Sequence, residues 1–358
     1  MLFDPEPKKV KRDFYDREAE LRELLGSIER GKLVVVQGIR RLGKSSLLNI
    51  ALSESKHPFV KLDMREIYFS HGSVSKFHLY RAFSRELSRL SSIHRLVSWL
   101  EKVRGIKISG FEVQLDWKEK GASLTDVFRA MNEWASAHKE RVVIAIDEAQ
   151  YLRLAGRARY DGLLAWAIDN LENLVFVLTG SQVGLLQGFL GMDDPKSPLY
   201  GRYARTIRLG RFNREQAMDF LERGFKEAGV MQPPNLEEVV EALDGLIGWL
   251  TLYGHTYVSE GRAELDRFLK MAAKLAMEES KKIFQWSDRY LPVLRAVAAG
   301  AVTWSKIYER TSISLGPISK SNLTYLLDNL VRYGYLERRE DGSFTITDPV
   351  VEYMAAHL

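Results

Sequence analysis

Four short stretches of the chain carry residues whose types and spacing could do chemistry. The first is Gly38-Ile39-Arg40-Arg41-Leu42-Gly43-Lys44-Ser45-Ser46, built on the frame Gly-x-x-x-x-Gly-Lys-Ser. Gly38 and Gly43 let the backbone wrap a phosphate with its N–H groups turned inward, at the start of a helix. Lys44 can then reach the β- and γ-phosphates of a nucleotide, and the Ser45 hydroxyl can ligate Mg²⁺. The second stretch, Val142-Val143-Ile144-Ala145-Ile146-Asp147-Glu148, is an apolar run ending in two acids. Asp147 is placed to hold a metal's hydration shell, and Glu148 to polarise an attacking water. Taken alone, the acids could simply cap the next helix; with the glycine loop they point to nucleotide hydrolysis. In the third stretch, Thr179-Gly180-Ser181, Thr179 and Ser181 could sense a γ-phosphate or serve as a helix N-cap. In the fourth, Arg202 precedes a short strand and could offer a guanidinium to a γ-phosphate, of its own chain or a neighbour's, or make a surface salt bridge.

These residues need a scaffold, and the apolar pattern supplies one. Runs at 33–37, 58–64, 141–147, 174–179 and 206–209 read as strands alternating with helices, as a parallel α/β sheet requires. The glycine loop follows the first strand and leads into a helix from Lys44, which is the context that a phosphate loop needs. The segment 105–115 (GIKISGFEVQL) alternates as a small inserted hairpin would. After Phe212 the texture turns helical, with Ala217, Phe220, Leu221 and Phe225 at helical spacing. The last eighty residues place Leu323, Leu326, Leu327, Leu330 and Val331 on one helix face, followed by a hairpin with Asp341-Gly342 at its turn. That order reads as a winged helix-turn-helix. The expected division is a P-loop ATPase domain over 1–212, a helical lid over 213–280 and the winged helix over 281–358.

Composition excludes several alternatives. The chain has 358 residues, no cysteine and seven scattered histidines, so disulfides, thiolate catalysis and cysteine zinc sites are out. The net charge of +5 permits nucleic-acid contact without requiring it. The basic cluster 8–12 lacks a following apolar segment and reads as a solvated, partly ordered arm, not as a signal peptide. No run is long enough to span a membrane, so a cytoplasmic protein is expected. The absence of Asn-Lys-x-Asp favours ATP over GTP, and a DEAD-type helicase is disfavoured because the Asp-Glu-Ala-Gln run is not accompanied by a second RecA-like domain.

The chain resembles the archaeal ATPase family, within the STAND class of signal-transducing P-loop ATPases related to AAA+ proteins. The resemblance rests on DREAELREL at 16–24, GIRRLGKSSLL at the loop, VIAIDEAQYL, TGSQVGLL, LYGRYARTIRLGRF and GLIGWLTLYG. It implies a sheet order of 5-1-4-3-2, ATP or ADP with Mg²⁺ as ligands, and a winged helix that reports nucleotide state. It also carries over Arg17 and Glu18 as base-pocket residues, although Asp16 stands where the family has glycine. Gly248 and Trp249 carry over as lid residues near the nucleotide, although Ile247 replaces a proline. Slow ATP hydrolysis, nucleotide-dependent self-association and an unspecified protein partner follow from the same likeness.

Two readings of the C-terminal unit stay open at this stage. Residues 281–358 hold ten Lys/Arg against eight Asp/Glu, a weak basic balance for a dedicated DNA reader. An intramolecular role is therefore preferred, with duplex DNA as the alternative, as in replication initiators of the Orc/Cdc6 type. For that alternative Ser319, Lys320, Ser321, Asn322 and Thr324 would face bases, and Arg338 and Arg339 phosphates. Arg40 and Arg41 exceed what a phosphate cradle needs. Arg41 is expected to anchor the loop to a carboxylate or to the C-terminal unit, and Arg40 to face solvent or a neighbouring subunit.

Overall fold

A computed structural model of the chain describes residues 1–89, 100, 106–109, 112–115, 123–156, 158–284 and 287–357. Its centre is a parallel sheet of β1 (Leu33–Gln37), β2 (Phe59–Asp63), β5 (Val142–Asp147), β6 (Leu174–Gly180) and β7 (Arg205–Arg208), ordered β2-β5-β6-β1-β7. The three central strands, LVVVQ, VVIAID and LVFVLTG, are buried at every residue because both sheet faces are covered. Edge strands β2 and β7 are part exposed and carry the sheet's charged residues other than Asp147. Alternate β1 residues divide between two cores. Val34 and Val36 pack with the helices Glu18–Arg30 and Lys44–Glu54, while Leu33 and Val35 pack with Lys76–Ser88, Leu124–His138 and Tyr160–Asn170.

The remaining strands form two hairpins. β3 (Ile106–Ser109) pairs antiparallel with β4 (Glu112–Leu115), at the insertion the sequence pattern marks; the rest of 105–115 lies outside the described residues. β8 (Leu336–Arg338) pairs with β9 (Phe344–Ile346) around Asp341-Gly342, where Gly342 has φ 79°.

After the sheet, the helix Arg214–Glu227 opens on a capping box between Asn213 and Gln216. The helices Leu236–Leu243, Ile247–Glu260 and Leu265–Phe284 follow, then Tyr290–Ala298, Trp304–Leu315, Lys320–Arg332 and Pro349–His357. All of them share the apolar core that reaches β1 and the Lys44–Glu54 helix, so the last helices and the phosphate loop are parts of one packed body. The Leu265–Phe284 helix lies against Pro349–His357.

The N-terminal arm is anchored at two points, Phe3 and Lys8. Phe3 is buried between the 214–227 and 247–260 helices, where Gly224 and Gly254 leave room for its ring and no Cβ would fit. The Lys8 N–H donates to Ser46 Oγ at 3.0 Å, and its carbonyl accepts from Asn49 Nδ2 at 3.2 Å. The arm is thus a strap tying the helix after the loop to the later helices. Phe3 is its buried anchor, while residues 4–7 and the basic continuation 9–12 are exposed.

Candidate nucleotide site

Backbone geometry builds the loop. A Cβ at Gly38 would sit 2.8 Å from the Leu209 carbonyl oxygen, so only glycine lets β1 leave the sheet beside β7. Arg41 (φ 65°) and Gly43 (φ 85°) are both left-handed, which turns successive N–H groups to one side, and Gly43 is the N-cap of the Lys44–Glu54 helix. The Lys44 ammonium is buried and donates to the Ile39 carbonyl at 2.6 Å. Burial pushes its pKa down to about 8 against the pull of Glu148 and Asp147.

The acids sit at the end of β5, beside the loop. Asp147 is buried and accepts from the Thr179 hydroxyl, which in turn accepts the Glu148 N–H at 3.1 Å. Glu148 is left-handed (φ 55°), a strained setting for a side chain with a Cβ, and its carboxylate is well held. Three donors converge on Oε2: Ser181 Oγ at 2.7 Å, the Ser181 N–H at 3.1 Å and Gln150 Nε2 at 2.5 Å. Among the described residues no donor reaches Oε1. Burial raises the Glu148 carboxyl, but Lys44, Ser181, Gln150 and Arg40 outweigh it and hold the group below its ordinary value. Thr179 and Ser181 are therefore spent on orienting the acids, and neither lines the cavity described below.

The two loop arginines line the cavity described below but are both held by Glu279. Arg41 Nη2 meets Glu279 Oε1 at 2.9 Å, its guanidinium stacks 3.7 Å over the Trp249 ring, and Nη1 lies 4.0 Å from Asp348 Oδ2. Arg40 does not face solvent as expected; its Nη1 lies 3.2 Å from the other Glu279 oxygen. Trp249 is corrected too: it is buried behind Arg41, donating to both Asp348 oxygens at 2.9 and 3.0 Å, and does not line the cavity. Gly248 does line it, with its N–H on the Arg41 carbonyl at 2.9 Å, and a Cβ there would come within 2.7 Å of Arg41 Cβ.

These parts surround a cavity of about 360 Å³. Its lining includes the apolar Pro5, Pro7, Phe212, Phe220, Ile247 and Leu252 and the polar Lys44, Ser45, Ser46, Arg65 and Glu148. Arg17 lines it too, stacked 4.6 Å from the Phe212 ring centre and bonded to Glu20 and the Gly210 carbonyl. Glu18 is exposed and belongs instead to a neighbouring cleft of about 490 Å³, whose Asp16, Asp219 and Glu227 make it unfit for a phosphate. Arg202 is also elsewhere. It forks onto Asp169 and precedes β7, at the edge where strands start, about 15 Å of strand from the loop. The own-chain version of its γ-phosphate role is overturned.

Several site residues carry no signal in spacing. Lys61 donates to Asn49 Oδ1 at 2.6 Å and lies 3.8 Å from Asp147 Oδ2, linking the acid to the strap through Asn49. Arg65, Lys61 and the strap residues 4–8 reach the site only through packing.

With the geometry in place, comparison with known proteins gives a family. A model described as an ATPase domain predominantly from Archaea matches residues 14–251. The chain belongs to this archaeal ATPase family. A Walker-type ATPase of Pyrococcus abyssi is 36% identical to this archaeal ATPase family member over 99% of both chains, with a TM-score of 0.86. The ORC2 protein of Aeropyrum pernix, solved with ADPNP and ADP, is 14% identical, covering 99% of this chain and 95% of its own with a TM-score of 0.60, a likeness of fold. No curated protein matches. The α/β P-loop fold of AAA+-related ATPases is therefore shown for this family member, as is the absence, among the described residues, of a helix long and apolar enough to cross a membrane.

Proposed function

We propose that the chain binds ATP with Mg²⁺, hydrolyses it slowly, and works as a STAND-type switch. The observation that carries this reading is the placement of Lys44 and Glu148 on one cavity, with one Glu148 oxygen that no donor among the described residues reaches. The base would lie beside Arg17 and Phe212, and the phosphates in the loop against Lys44 and the N–H groups from Gly38 to Ser46. Glu148 Oε1 accepts a proton from a water and aims its oxygen at the γ-phosphorus; the bond from that phosphorus to the β–γ bridging oxygen breaks, leaving ADP and phosphate. Asp147 and Ser45 fit Mg²⁺, a carboxylate and a hydroxyl beside phosphate oxygens, with Thr179 fixing the carboxylate and Lys61 balancing its charge. Bound there, Mg²⁺ would neutralise charge between the β- and γ-phosphates.

The switch reading divides the chain into an ATPase unit (1–212), a lid (213–280) and a winged helix (281–358). Glu279 and Asp348, from the lid and the last unit, hold both loop arginines, and Gly334 lies against the Ser181 carbonyl. A nucleotide that moves the loop or Ser181 therefore strains the docking of the last unit. Arg202 would meet a phosphate only across a contact between two copies. Lys44→Ala tests the core of the reading: binding of a fluorescent ATP analogue should be lost, and micromolar affinity in that variant would refute the loop assignment.

A second reading keeps duplex DNA as partner. It is favoured by the outer face of the 320–332 helix, where Ser321, Asn322, Thr324 and Tyr325 are exposed while its far end packs on Gly184. Affinity that falls steeply with salt would support it, and no binding at low salt would remove it.

A further inference from the structure

We propose that Arg65 supplies the guanidinium that meets the γ-phosphate, from the same chain that holds the nucleotide. The proposal rests on the ATPase reading above and concerns the same cavity. Asp63, the last residue of β2, is the register partner of Asp147 on β5, so the two strands end side by side. The Asp63 carboxylate accepts the N–H groups of Arg65 and Glu66 at 2.9 and 3.0 Å, which fixes the start of the Met64–His71 helix at that edge. Arg65 thus leaves β2 where Glu148 leaves β5, and both line the cavity with Lys44.

The other cations near the phosphates are occupied. Arg40 and Arg41 share Glu279, Arg17 is bonded to Glu20 and Gly210, and Arg202 is forked onto Asp169 at the opposite edge. Among the described residues the Arg65 guanidinium has no ion-pair or hydrogen-bond partner. Burial is the main reason that Lys44 titrates low, and Arg65 adds to it, as cations sharing one cavity do. A γ-phosphate placed beside the Glu148 carboxylate meets like charge, and one more mobile cation at that end offsets it. An α,β-diphosphate does not extend to Glu148, so the contact distinguishes ATP from ADP.

The test compares affinities for a non-hydrolysable ATP analogue and for ADP in wild type, Arg65→Ala and Arg65→Lys. In Arg65→Ala, analogue affinity is expected to fall about tenfold or more with ADP affinity unchanged, with Arg65→Lys between. Equal loss for both nucleotides, or no loss for either, would overturn the proposal while leaving ATP binding intact. No nucleotide binding by the wild-type chain would overturn the ATPase reading and this proposal with it.

Discussion

Lys44 is the residue on which solution conditions act most directly. In the nucleotide-free fold its ammonium is buried against one carbonyl and titrates near pH 8, below an ordinary lysine. A bound triphosphate returns a counter-charge and raises that pKa, so binding above pH 8 must take up a proton. ATP affinity should therefore be level below about pH 8 and weaken by up to tenfold per unit above it; calorimetry at several pH values would check this. The same lowered pKa makes the charged form costly in the fold. Stability of the nucleotide-free chain should therefore rise between about pH 8 and 10.5, as that cost is relieved. The glycine frame and paired acids were legible because each is a local pattern whose spacing matches the chemistry. The partners of Thr179 and Ser181 were not, since a hydroxyl after a strand can face a ligand or an acid equally well. Arg202 misled because closeness to a strand in sequence does not say which end of the sheet it occupies.

Between elements, Arg40 and Arg41 carry the loop's ion pairs to the later helices. They join β1's end to the Leu265–Phe284 helix through Glu279 and to the last helix through Asp348. Asp348 is deeply buried, which raises its carboxyl despite Arg41 and Trp249, so the pairing sits where charge is poorly solvated and geometry counts. Glu279→Gln removes the charge that both arginines share. Release of bound ADP should then quicken about fivefold or more by stopped flow, with the melting temperature little changed, because Glu279 is part exposed. An unchanged release rate would leave the arginines as packing alone. Periodicity located every strand of the sheet to within a residue or two. It missed the N-terminal strap, whose fit depends on Phe3 finding two glycines more than two hundred residues away.

At the scale of the molecule, one of the two apolar cores joins the sheet to the helices between Arg214 and His357. A change at the phosphate end therefore has a mechanical path to the C-terminal helices. The family was legible from the doubled arginine and the motifs around it. The route of coupling was not, because it runs through long-range ion pairs. Everything rests on the Glu148 carboxylate working as the base beside a Lys44-held triphosphate. The most direct measurement is phosphate release and bound nucleotide, followed together, in wild type and Glu148→Gln with Mg²⁺. ATP binding should be retained in the variant and turnover should fall by about a hundredfold or more; undiminished turnover would contradict the account.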